Sequence, residues 1–321
     1  MENEALLLAL GVLGLWFGSD IAVEYARKIA DSLRVSTLVV GLTVTSIGTS
    51  LGEIMTNIVA GVQRLQGIET SGIAIGTVIG SNISLITFVL GFCGLFTVFY
   101  MERKKSSMKR DWYMLFLAIG LVFLFFLDDR KIDFVEGITL ILVYFGYIFM
   151  VLRQEQLFKK VKDKKDINVL GMVFDFFIVF IGILGVIYSA HIVIDNGVFM
   201  AKIFEIDDEL IGLIIGFGTS LPELTISMHS IFKGHHGLSI GNIIGGGITD
   251  PLLSLGAGAV IAPVFIHDME LSFDMPFMIV STLVAWLFFM RGGKLDKFEA
   301  SILIAMYFAF VYLKFFVVGS G

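Results

Sequence analysis

The chain of 321 residues is 56% hydrophobic and 13% aromatic, and only 16% of it is charged. That composition excludes a soluble globular domain and requires a bilayer. The net charge of -6 gives no basic stripe for nucleic acid, and the single cysteine, Cys93, excludes a disulfide or a thiolate cluster for a metal.

Apolar runs of roughly twenty residues, enough to cross about 30 Å of hydrocarbon as helix, recur along nearly the whole chain. In chain order they fall at 5–30, 37–63, 71–99, 111–128, 132–152, 169–199, 208–232, 238–266, 271–290 and 298–318, predicting an all-α polytopic membrane protein of ten transmembrane helices. The first run follows Glu2 and Glu4, with no Lys or Arg before Arg27. A signal peptide has the opposite polarity, so this run is expected to remain as a helix. The one sustained hydrophilic stretch, RQEQLFKKVKDKKDIN at 153–168, separates residues 1–152 from 169–321, five runs on each side. Of the 23 lysines and arginines, 18 fall on one face of this topology; the other face holds only Arg64, Arg130, Lys131, Lys202 and Lys314. Basic residues accumulate in cytoplasmic loops, which places both termini outside, 153–168 inside and a basic face against anionic lipid. The expected location is a prokaryotic plasma membrane, crossed many times.

The two halves repeat. At an offset of 170, GTSLGE (48–53) aligns with GTSLPE (218–223); at 165, GTVIGSNISL (76–85) aligns with GNIIGGGITD (241–250). Five runs is an odd number, so the second copy enters the membrane from the opposite side. Inverted 5+5 repeats of this kind build secondary transporters, whose site lies at the midplane where the repeats meet. Glycines recur at matching places, Gly72, Gly76 and Gly80 against Gly237, Gly241 and Gly245, which close helix packing partly explains.

Packing does not explain the carboxylates. A charged glutamate at the bilayer centre costs several kcal/mol, so such a residue faces a partner or a pathway. On a continuous helix Thr49 and Ser50 lie four and three residues from Glu53 on one face, and Thr219, Ser220 and Glu223 repeat the arrangement. Pro222, inside a helix, would free the carbonyl of Gly218, with Gly52 loosening the first copy less forcibly. Carboxylates, hydroxyls and freed carbonyls, with Asp250 beside them, suit Ca²⁺ or several Na⁺ and not zinc or copper, for which imidazole or thiolate is wanted.

In these residues the chain resembles the calcium/cation antiporter superfamily, of the prokaryotic sodium/calcium exchanger type. The resemblance covers nearly the full length, and GTSLPE followed by GNIIG is its most specific signal. It implies that spans two, three, seven and eight form the ion site while spans one and six slide past them. Carried over, a central calcium position uses Glu53, Glu223, Thr49 and Thr219. Flanking sodium positions use Ser50, Ser81 and the Ser46 carbonyl on one side, Ser220 and the Gly216 carbonyl on the other, and Asp250 matches a third acidic or amide position. The chain departs from the pattern at Leu85, opposite Asp250; at Gly246, opposite Ser81; at Gly52, where a proline is expected; and at Thr77, where an asparagine is.

Two ionised glutamates balance one Ca²⁺, two Na⁺ or two protons, and closely placed carboxylates raise each other's pKa when empty. Ca²⁺/H⁺ antiport is therefore the alternative to Ca²⁺/Na⁺ antiport, with another cation such as Mg²⁺ behind it. A channel is disfavoured by the inverted repeat. An enzyme is disfavoured because no serine or threonine has a histidine at persuasive helical spacing. No cofactor and no obligatory protein partner is expected, only the ions and membrane lipid. Asp20, Glu24 and Asp195 are read as helix caps or lysine partners ahead of ion attractors, and His191 as a packing residue.

Overall fold

The computed structural model describes residues 2–100, 105–154, 169–203, 218, 220–292 and 294–314. Thr219, Gly216, most of 153–168 and the first part of the 208–232 run lie outside the described residues.

Nearly all of the described chain is helical. The elements in order are α1 (Glu2–Leu33), α2 (Thr37–Val40), α3 (Ser46–Thr49), α4 (Leu51–Leu65), α5 (Ser71–Ser84), α6 (Leu90–Phe96), β1 (Phe99–Tyr100), α7 (Lys105–Asp129), β2 (Lys131–Ile132), α8 (Phe134–Gln154), α9 (Val169–Ile203), α10 (Leu221–Phe232), α11 (His236–Thr249), α12 (Leu255–Ile261), β3 (Val264–Phe265), α13 (Met275–Gly292), β4 (Lys294–Leu295) and α14 (Lys297–Tyr312). Single π-helical turns at Gly41–Thr45, Leu85–Val89, Asp250–Ser254 and Glu270–Asp274 join consecutive helices without a break in the rod.

Among the described residues six helical stretches are long and apolar enough to cross a membrane: Ser71–Phe96, Lys109–Asp129, Phe134–Gln154, Leu170–Val193, His236–Ile261 and Glu270–Arg291. The pair Thr37–Thr49 and Leu51–Leu65 makes a seventh if taken as one broken span. The predicted runs at the two ends of the chain are also helical, as α1 and α14. Large apolar side chains such as Leu13, Phe17, Leu124, Leu142 and Phe177 are exposed on the outer faces, where lipid rather than water is the matching solvent.

Two compact units are present, and neither is a sequence half: Met1–Thr49 with Met150–Asn242, and Ser50–Phe149 with Ile243–Gly321. In the first, α1 lies along α9. Ala22, Val23, Ala26 and Ile29 of α1 pack on Val179, Ile183, Val186 and Ala190 of α9, and Val40, Ile226 and Leu238 join the same core. The helix-period spacing of these residues gives one buried stripe per helix. Small residues allow the approach: a Cβ on Gly182 would meet Gly18 O and Ala22 N at 2.9 Å.

In the second unit the repeat is visible in the backbone itself. Helices of 14 residues, π-helical turns of five and helices of seven follow one another at Ser71–Phe96 and again at His236–Ile261, where the first residues through Asn242 belong to the first unit. Each boundary is displaced by 165 residues, and β1 and β3 follow at the same offset. Pro251 accounts for the second π-helical turn by removing an N–H; the first forms without a proline. Strand pairing crosses between copies. β1 pairs antiparallel with β4 through Phe99 and Leu295, and β2 with β3 through Lys131 and Phe265. Glu69, in the turn before α5, accepts from Ser71 N at 2.8 Å, and hydrogen bonding from Ser71 holds its carboxyl below the usual range.

Candidate functional site

Both hexads sit at a helix break. α3 ends at Thr49, Ser50 leaves helical geometry with φ -73° and ψ 7°, and α4 starts at Leu51. Ser220 has nearly the same conformation, φ -92° and ψ 4°, with α10 starting at Leu221. This corrects two expectations. The hexad is not one continuous helix face, since Thr49 closes one helix and Glu53 lies in the first turn of the next. Pro222 is not inside a helix either; it occupies the first turn of α10, where its missing N–H has no intrahelical partner to lose. The Gly52 copy breaks at the matching residue without a proline.

A break of this kind leaves orphan carbonyls on one side and orphan amides on the other. Glu53 and Glu223 stand in first turns, where the positive end of the helix dipole favours the ionised carboxylate. They are 3% and 2% exposed. Neither Ser50 nor Ser220 spends its hydroxyl on capping the helix that it precedes, and both hydroxyls are buried without a hydrogen-bond partner among the described residues. Buried oxygens left over in this way suit a cation that is absent from the hydrogen-bond network itself.

The first unit gathers Ser46, Thr49, Ser220, Glu223 and Asn242. Thr49 Oγ1 donates to Ser46 O and to Asn242 Oδ1, each at 3.3 Å. Asn242 Nδ2 in turn donates to Ser227 Oγ at 3.2 Å and to Glu223 O at 3.4 Å, so one amide ties the end of α3 to the first turn of α10. The Ser46 hydroxyl turns back to Leu42 O at 2.9 Å, which leaves its carbonyl as the oxygen on offer.

The second unit gathers Ser50, Glu53, Asn57, Ser81 and Asp250. Ser81 Oγ donates to Asp250 Oδ2 at 2.7 Å. Ser50 lies close to the same carboxylate without completing a hydrogen bond. Asn57 Nδ2 donates to Glu53 O and to Ser254 Oγ, both at 3.0 Å. Both glutamate carbonyls are thus held by a buried asparagine amide, supplied by α4 itself in one copy and by α11 in the other.

Asn57 and Asn242 are the functional candidates that sequence reasoning missed. Asn242 lies inside GNIIG and Asn57 one helical turn beyond Glu53, and those positions were the available signals. Replacing Asn242 by leucine strands Thr49 and the Glu223 carbonyl. The expected result is a loss of about 1–3 kcal/mol in unfolding stability, read as a lower melting temperature in detergent micelles. A variant that melts with the wild type would show the amide to be idle.

Asp20 pairs with Lys233 at 2.5 Å and with His229 Nε2 at 2.7 Å, and Glu24 with Lys28 at 3.0 Å, matching the lysine-partner reading of both acids. Among the described residues no group of three or more His, Cys, Asp or Glu is placed to hold a metal ion. Cation chemistry here therefore draws on hydroxyl, amide and carbonyl oxygens beside its few carboxylates.

Apolar helical spans interrupted by buried carboxylates at helix breaks define a multi-pass membrane protein of transporter type. The chain belongs to the sodium/calcium exchanger protein family, which it matches over residues 3–153 and 174–316. It is similar to the sodium/calcium exchanger MaX1 of Methanosarcina acetivorans, with 29% identity covering 97% of this chain and 98% of the relative. It is also similar to the putative antiporter CaxA of Alkalimonas amylolytica, with 32% identity covering 97% and 98%. The solved structure of the sodium-calcium exchanger NCX_Mj soaked with 2.5 mM Na⁺ and 0.1 mM Ca²⁺ superposes with a TM-score of 0.79 at 27% identity, covering 96% of this chain and 97% of that one.

Proposed function

We propose that this protein exchanges Ca²⁺ for Na⁺ across the cell membrane by alternating access. One observation carries the reading: in both hexads the helix breaks at the same serine, which leaves a buried glutamate in a first turn beside a hydroxyl that nothing else uses. Broken helices whose ends face a cavity are how secondary transporters strip and hold ions near the midplane. The names carried by MaX1 and by NCX_Mj support the choice of Na⁺ and Ca²⁺.

In this reading ten helices form an inverted repeat, residues 1–152 and 169–321 joined by a cytoplasmic loop at 153–168, with both termini outside. The matching backbone of Ser71–Phe96 and His236–Ile261 supports the duplication. Glu53, Glu223, Thr49 and Thr219 take Ca²⁺. Ser50, Ser81, Asp250 and the Ser46 carbonyl serve one sodium flank, and Ser220 with the Gly216 carbonyl the other. Residues flank the ions and lipid surrounds the helices; no cofactor enters the scheme.

The test is flux in proteoliposomes with Na⁺, K⁺ and proton gradients imposed separately. An outward Na⁺ gradient is expected to drive Ca²⁺ uptake, and K⁺ is expected to have no effect. Uptake that follows a pH gradient and ignores Na⁺ would replace sodium by protons as the coupling ion.

A further inference from the structure

The repeat offset of 165 carries Ser81 onto Gly246 and Leu85 onto Asp250. The contact between Ser81 and Asp250 therefore has an internal mate, the contact between Gly246 and Leu85, and all four residues belong to the second unit. The two copies are built alike in backbone, since Leu85 and Asp250 each open a π-helical turn of five residues after a helix of 14. They differ in side chains alone.

In the polar copy, Ser81 Oγ donates to Asp250 Oδ2 at 2.7 Å, and Asp250 Oδ1 is buried with no hydrogen bond among the described residues. In the apolar copy, a Cβ placed on Gly246 would stand 3.0 Å from Leu85 Cδ1 and 3.9 Å from Ser50 Oγ. Leu85 is 1% exposed, so its methyl group fills the space that a side chain at 246 would need. A cation stripped of water needs oxygens on every side, about six to eight for Ca²⁺. A methyl group and a bare Cα supply none, and they remove the room for water to serve instead.

We propose that Leu85 and Gly246 interlock as an apolar plug that closes the internal mate of the Asp250–Ser81 cation position, and so limit exchange to two Na⁺ per Ca²⁺. This rests on the exchanger reading above. Two like polar walls with the glutamates between them would offer three monovalent positions; closing one leaves two. Two Na⁺ also match the charge of two ionised glutamates, whereas a third would leave an excess positive charge out of water.

Coupling is measured in proteoliposomes as the Na⁺ gradient that nulls a fixed Ca²⁺ gradient, with the membrane potential clamped by K⁺ and valinomycin. The wild type is expected to null when the squared Na⁺ ratio equals the Ca²⁺ ratio, at every potential. A cube-law null point that moves with potential overturns the plug and leaves the exchanger standing. Absence of any Na⁺-dependent Ca²⁺ flux overturns both. Melting temperatures of Gly246→Ser, Leu85→Ala and the double variant test the interlock independently of transport. Gly246→Ser is expected to melt below the wild type, and to lose less in the Leu85→Ala background; additive shifts would overturn the proposal.

Discussion

Glu223→Gln is expected to abolish sodium-driven Ca²⁺ uptake, and Glu53→Gln to do the same. Glutamine keeps the shape of the side chain and removes one of two negative charges that balance a divalent cation. Loss of a charged ligand from a buried site costs about 3 kcal/mol or more, on the order of a hundredfold in affinity. Glu53 and Glu223 are almost fully buried, so neither solvent nor salt makes good the missing charge. Uptake by reconstituted, monodisperse protein is the measurement. A glutamine variant that retains uptake within about threefold of the wild type, a difference of less than 1 kcal/mol, would remove that glutamate from the ion site.

The second large effect is on stability. Gly41 and Gly241 bring two helix backbones of the first unit together: a Cβ on Gly241 would lie 2.5 Å from Leu38 O and 2.9 Å from Gly41 Cα, and one on Gly41 would lie 2.6 Å from Leu238 O. Backbone atoms cannot swing aside, so the helices must part. Gly241→Ala is expected to destabilise by about 1–3 kcal/mol or more, a clear fall in melting temperature in micelles. Gly76→Ala is the matched control, because no atom lies within 4 Å of its added methyl group. It should hold or gain up to about 1 kcal/mol from the better helix propensity of alanine. Equal melting temperatures for the two variants would mean that the close approach contributes nothing.

How far the sequence could be read depended on the kind of signal. The offset of 165 was legible because ten aligned residues carry it, and the elements of Ser71–Phe96 recur at His236–Ile261 with the same lengths. Glu53 and Glu223 were legible because a carboxylate in an apolar run is costly without a purpose. The break at Ser50 was not, since the chain around it holds no proline; the bend follows from packing, which single-residue propensities do not encode. The π-helical turn at Leu85 was hidden for the same reason, although Pro251 advertised its counterpart. The roles of Asn57 and Asn242 depend on side chains from distant segments, Ser254 in one case and Thr49 in the other, and no local spacing reports those meetings.

The exchanged pairing of the short strands bears on how the protein is made. β1 and β2 are synthesised well before β4 and β3, the strands that complete their ladders. Compact units assembled from both ends of the chain cannot close while the ribosome is still on the first half. Insertion must therefore run ahead of tertiary assembly, with the early strand edges kept from wrong partners until the late ones arrive, and a chain truncated at the middle is expected to be a target for quality control rather than a functional half.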